Sequence, residues 1–135
     1  MRTIKKPLLF VLSIALLLSC KSDVNKLEVG QKTTIKVKEV YNAGDVIKGE
    51  EIKAKFKVTN TGKYPLLISQ VKGSCACTIA SKPTEPIQPG KSKVISANVK
   101  TEKKNAGELT QSVRIVANTV PSITVVRIKA NVIVK

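Results

Sequence analysis

A chain of 135 residues is long enough for one domain. It is 42% hydrophobic but only 3% aromatic, which means a core of Val, Ile, Leu and Ala, and the β-branched members favour strands. It has no histidine, which excludes Ser-His-Asp triads, Cys-His pairs and imidazole metal ligands, and its formal net charge is +15, from 24 Lys+Arg against 9 Asp+Glu.

The first nineteen residues read as a leader. Arg2, Lys5 and Lys6 form a basic start, and Leu8 to Leu18 is an apolar run of eleven residues. As a helix that run spans roughly 16 Å, short of a bilayer core of about 30 Å. Leu17-Leu18-Ser19-Cys20 resembles the lipobox of bacterial lipoproteins, with Leu17, Ser19 and Cys20 at the matching positions. The resemblance implies cleavage before Cys20, lipidation of its sulfur and a membrane anchor. Lys21 rather than Asp follows the cysteine, which by resemblance to enterobacterial sorting points to the outer membrane. Residues 20–32 are polar and mixed in charge, a tether between lipid and domain. Without the leader's three cations the net charge is about +12.

The domain is expected over 33–135. Ile35 and Val37 alternate with Lys36 and Lys38, a half-buried strand. Asn42-Ala43-Gly44-Asp45 and Lys48-Gly49-Glu50 read as turns. From Glu51 to Thr59 the period is strictly two: Ile52, Ala54, Phe56 and Val58 take the inner face, Glu51, Lys53, Lys55 and Lys57 the outer. Asn60-Thr61-Gly62-Lys63 is a turn, and Pro65, which cannot donate to a ladder, marks the start of a strand over Leu66 to Val71 that continues weakly through Cys75 and Cys77. Pro83, Pro86 and Pro89-Gly90 make an extended loop and a tight turn. Lys93 to Lys100 is a strand with Ile95, Ala97 and Val99 inward, and residues 103–107 form a polar hairpin loop. Leu109 to Ala117 alternates with Gln111 as one polar intrusion. The chain turns at Asn118 to Ser122, and the last strand, Ile123 to Val134, sets Val126, Ile128, Ala130, Val132 and Val134 on one face. About seven short strands with regular turn signals predict an all-β fold, an immunoglobulin-like antiparallel β-sandwich, with a small barrel as the alternative.

From about Tyr41 to Ala130 the chain resembles the bacterial family known as domain of unknown function 1573. The resemblance is carried by Phe56, Asn60-Thr61-Gly62, Pro65-Leu66, Ile68, Ser74-Cys75-Ala76-Cys77-Thr78, Ile87-Gln88-Pro89-Gly90, Gly107 and the Asn118 turn. The family's central motif is usually Cys-Gly-Cys, and Ala76 stands here at the Gly position. The resemblance implies an immunoglobulin-like fold and a lipoprotein leader, and implies no activity.

Cys75 and Cys77 are the candidate site. In an extended strand they would share a face roughly 6.6 Å apart, so a disulfide between them needs a bend, and Gly73 stands where it can help. Three roles remain open: a small structural knot, thiol exchange, and soft-metal binding to Cu(I) through two thiolates. With no histidine and Met1 the sole methionine, such a metal would be two-coordinate or shared between molecules. Lys36, Lys38, Lys53, Lys55 and Lys57 line outward faces. They either solvate and blunt the sheet or attract anionic polymers. Nucleic acid is excluded as a partner by the leader and by the scarcity of stacking side chains, two Tyr and two Phe. The nine acids form no catalytic pair. The expectation is a non-catalytic, lipid-anchored binding or structural module of the cell envelope, without a cofactor. It would be an outer membrane lipoprotein facing the periplasm, with an envelope protein or anionic polymer as partner. The alternative is a thiol-redox or Cu(I)-binding lipoprotein acting through Cys75 and Cys77.

Overall fold

The computed structural model describes residues 30–135. The strands are β1 (Ile35–Val37), β2 (Val40–Ile47), β3 (Glu51–Asn60), β4 (Ile68–Gly73), β5 (Thr78–Ala80), β6 (Ser92–Lys100), β7 (Gly107–Ala117) and β8 (Ile123–Ile133). They form two four-stranded sheets, ordered β1-β3-β6-β5 and β2-β8-β7-β4. This is the immunoglobulin-like sandwich that the alternation predicts, with the first strand divided between the sheets. The chain crosses at Lys38–Glu39 without reversing, so β2 pairs with β8 in parallel while the remaining strand pairs are antiparallel.

The period-two residues build the core. Ile52, Ala54, Phe56 and Val58 of β3 and Ile95, Ala97 and Val99 of β6 are buried from one sheet, Val113 and Ile115 of β7 and Val126, Ile128 and Val132 of β8 from the other. Lys53, Lys55 and Lys57 are exposed between them.

Several local expectations differ. Asn42–Asp45 is a bulge inside β2, not a turn between strands. Asn42 Oδ1 accepts from Gly44 N at 3.0 Å and Gly44 takes φ +69°, but the ladder to β8 resumes at Asp45, whose carboxylate accepts from Asn131 Nδ2 at 2.8 Å. Residues 103–107 join the two sheets rather than a hairpin, because β6 and β7 lie in opposite layers. Leu66 precedes β4 and makes an isolated bridge, its N–H and C=O both paired to Ile87 at 2.9 Å. Ile87 thereby brings the proline loop into the core, fully buried. Val134 is exposed, because the pairing of β8 has ended before it. Lys93 Nζ of β6 donates to Glu85 Oε2 of the proline loop at 2.8 Å and holds that carboxyl below the usual carboxylate range. Both groups are solvated, so the pair adds little stability.

Candidate functional site: the disulfide crossing and the lysine edge

β4 pairs with β7 through Gly73↔Val113, and Ser74 N still donates to Ser112 O at 2.8 Å. Four residues later Thr78 is paired with Val99 of β6, in the other sheet. The motif Ser74-Cys75-Ala76-Cys77 is therefore the bend by which the chain changes layer, not a continuation of a strand. A turn closes it: Thr78 N donates to Cys75 O at 3.0 Å, and Lys100 N donates to Cys77 O at 3.0 Å.

Cys75 and Cys77 are bridged as a disulfide, with their Cα atoms 5.2 Å apart. That is shorter than the roughly 6.6 Å of an extended i,i+2 pair, and the bend supplies the difference. Both cysteines are half-buried and Ala76 between them is exposed. Gly73 helps by its size. A Cβ there would stand 2.5 Å from Thr78 Cβ and 2.7 Å from Thr78 O, closer than a side chain can be. Strand and crossing can lie against each other only over a glycine.

Gln111, the polar intrusion on the inner face of β7, belongs here. Ser74 Oγ donates to its Oε1 at 2.9 Å and in turn accepts from Ser112 N at 3.1 Å. Cys75 Sγ lies 3.2 Å from the same Oε1. A bridged sulfur has no proton, so that approach is a contact. The sulfur can accept from Thr78 Oγ1 at 3.5 Å and, more weakly, from Lys104 Nζ at 3.9 Å. Ala76, Cys77, Lys100, Glu102 and Lys103 line a shallow pocket of about 320 Å³ beside the bridge. Sequence reasoning missed Gln111, Lys104 and Thr78. A lone polar residue in an apolar alternation was the available signal for Gln111, whereas Lys104 looks like any loop lysine.

The bridged state offers no thiolate to attack a disulfide or to hold Cu(I), so it does not favour the thiol or soft-metal alternative. Among the described residues no three His, Cys, Asp or Glu side chains are grouped to hold a metal. A ring of so few residues constrains the unfolded chain little. The double variant Cys75→Ser, Cys77→Ser is expected to lose on the order of 1–2 kcal/mol in urea melts. A loss several times larger would mean that the bridge shapes packing well beyond the crossing.

The lysines form a second feature. Lys53, Lys55 and Lys57 stand in a row on β3 with Lys36 of β1 beside Thr59 on the same outward face. The one ion pair of the described residues, Lys93–Glu85, lies elsewhere. Cys20 and the leader lie outside the described residues, and no helix among the described residues is long and apolar enough to cross a membrane.

A family model described as "Protein of unknown function (DUF1573)" matches residues 33–132. The chain belongs to this family. No curated protein sequence matches it. Among solved structures, the DUF1573 chain is similar to a protein of unknown function from Porphyromonas gingivalis W83 (TM-score 0.67, 19% identity, 81% of this chain) and spans 51% of that chain. It is similar to a PapD-like domain of human CEP192 (TM-score 0.60, 8% identity, 77% of this chain and 88% of that one). It is also similar to the VesB protease of Vibrio cholerae (TM-score 0.60, 14% identity, 72% of this chain and 31% of that one). At such identities these likenesses concern the fold alone. A chain without histidine cannot assemble a Ser-His-Asp triad from its own residues.

Proposed function

We propose that this DUF1573 chain is a lipid-anchored, non-catalytic module of the cell envelope that binds or braces a neighbour there. In this reading the leader is removed ahead of Cys20, and Cys20 carries the lipid. The domain is held on a short polar tether from the outer membrane, facing the periplasm. The observation that carries the anchor is the basic start, the eleven-residue apolar run and Leu17-Leu18-Ser19-Cys20 in succession. Acyl chains contribute about 0.8 kcal/mol per buried methylene, so more than one chain on Cys20 anchors firmly.

Support for binding rather than catalysis comes from the surface. The domain exposes a row of lysines without acid partners, and its cysteines are tied into a structural clasp at the sheet crossing. An acidic envelope protein or an anionic polymer complements such a surface.

The test is mass spectrometry of the mature chain isolated from membranes. The expected N-terminal residue is Cys20, its mass raised by acyl groups. A chain beginning elsewhere, or an unmodified Cys20, rejects the anchor. Crosslinking in intact envelopes tests the module reading separately.

A further inference from the structure

β1 pairs with β3 at only three positions, Ile35↔Asn60, Lys36↔Thr59 and Val37↔Val58, and then leaves for the other sheet. From Lys57 back to Glu51, the edge of β3 opposite β6 has no strand beside it. The hydrogen-bond alternation says which groups face this gap. Asn60 N donates to Lys91 O, so the even residues of β3 bond toward β6. Thr61 N donates to Thr34 O, so the odd residues bond toward β1. Lys57 stands where β1 departs, and beyond it Lys55 and Lys53 continue the odd series, each presenting one N–H and one C=O to the empty edge.

The gap opens into a cleft of about 490 Å³ between the sheets. Val40, Tyr41 and Phe56 floor it, with the Tyr41 and Phe56 rings 6.2 Å apart and edge to face, and Lys38, Lys55 and Lys57 stand at its rim. A strand laid along β3 would send its side chains alternately outward beside Lys53, Lys55 and Lys57 and inward over Val40, Tyr41 and Phe56. The outward positions call for carboxylates and the inward ones for small apolar groups. A second copy of this edge is a poor occupant, because lysines would face lysines.

We propose that the free edge of β3 is a docking site for an extended acidic segment of another protein. The segment adds as a strand beyond Val37, with acidic residues alternating with small aliphatic ones. This deepens the binding-module reading by naming the chemistry of the partner, and it does not depend on the lipid anchor.

The test titrates the purified full chain, in neutral detergent, with three labelled seven-residue peptides followed by fluorescence anisotropy. One alternates Glu and Val, one alternates Lys and Val, and one is the Glu/Val peptide N-methylated at alternate residues so that its edge-facing N–H groups are gone. The Glu/Val peptide is expected to bind, and the other two to bind at least about tenfold more weakly. The double variant Lys55→Glu, Lys57→Glu alters only exposed side chains and should reverse the preference between the Glu/Val and Lys/Val peptides. Absence of Glu/Val binding overturns the proposal, as does binding indifferent to N-methylation, which is mere charge attraction. Dimerisation of the unliganded chain through this edge also overturns it. If crosslinking in intact envelopes captures a neighbour equally well with the double variant, the module reading stands and the edge proposal falls.

Discussion

Phe56→Ala is expected to destabilise the domain by about 3–5 kcal/mol, while Lys55→Ala, one residue away, stays within about 0.5 kcal/mol. Phe56 is 2% exposed in the middle of β3, beside Ile95 in the register with β6, and its ring meets the edge of Tyr41 from the opposite sheet. It is one of two phenylalanines in the sequence. In a core otherwise built of aliphatic side chains, its removal leaves a void that the neighbouring strands cannot close without breaking their ladders. Lys55 points into water, and its alanine variant removes no buried contact. Urea melts at unchanged m-value check both. Equal losses at the two sites would mean that the faces of β3 are misassigned.

Asn60→Leu is expected to cost at least about 3 kcal/mol, although leucine has a similar volume and is far more apolar. Asn60 is fully buried at the end of β3. Its Oδ1 accepts from Thr33 Oγ1 at 2.8 Å and from Gly62 N at 3.0 Å. Its Nδ2 donates to Tyr64 O at 2.7 Å and to Ile87 O at 2.8 Å. Both donors and both acceptor positions of the amide are thus used. They tie the segment before β1, the β3–β4 turn and the proline loop to one point. Leucine would leave Thr33 Oγ1, Gly62 N and Tyr64 O without these hydrogen bonds, while Ile87 O keeps the one from Leu66 N, and each orphan costs about 1–3 kcal/mol unless water reaches it. A melt within about 1 kcal/mol of wild type would show that the loops repack around the apolar side chain and that the amide is no hub.

Asn60 also marks a boundary of sequence reading. Beside Thr61 and Gly62 it reads as a turn former, and turn and hub use the same amide. Nothing local distinguishes an asparagine that bends its own backbone from one that also collects Ile87 from 27 residues away. Asn118 behaves alike: its side chain accepts from Leu67 N at 2.7 Å and donates to Pro65 O and Gln31 O at 3.0 Å.

The alternations in β3, β7 and β8 were determined by the sequence alone, because a strand with one wet and one dry face must repeat every two residues. The sandwich class and the inward positions Phe56, Ile95, Val113 and Ile128 followed from that. Partnership between strands did not, because it depends on contacts between distant segments. β2 is a strand through its parallel ladder to β8, which overrides the local turn signal of Asn42 and Gly44. Ile87 is core because Leu66 reaches it across the proline loop. Only the tertiary structure decided that Cys75 and Cys77 lie where the chain changes sheet. It alone made Gly73 necessary through the approach of Thr78, and it left β3 open beside three lysines once β1 departs. The residue types at each of these places are local, but the layer to which a strand belongs is decided by whichever neighbour completes its backbone hydrogen bonds.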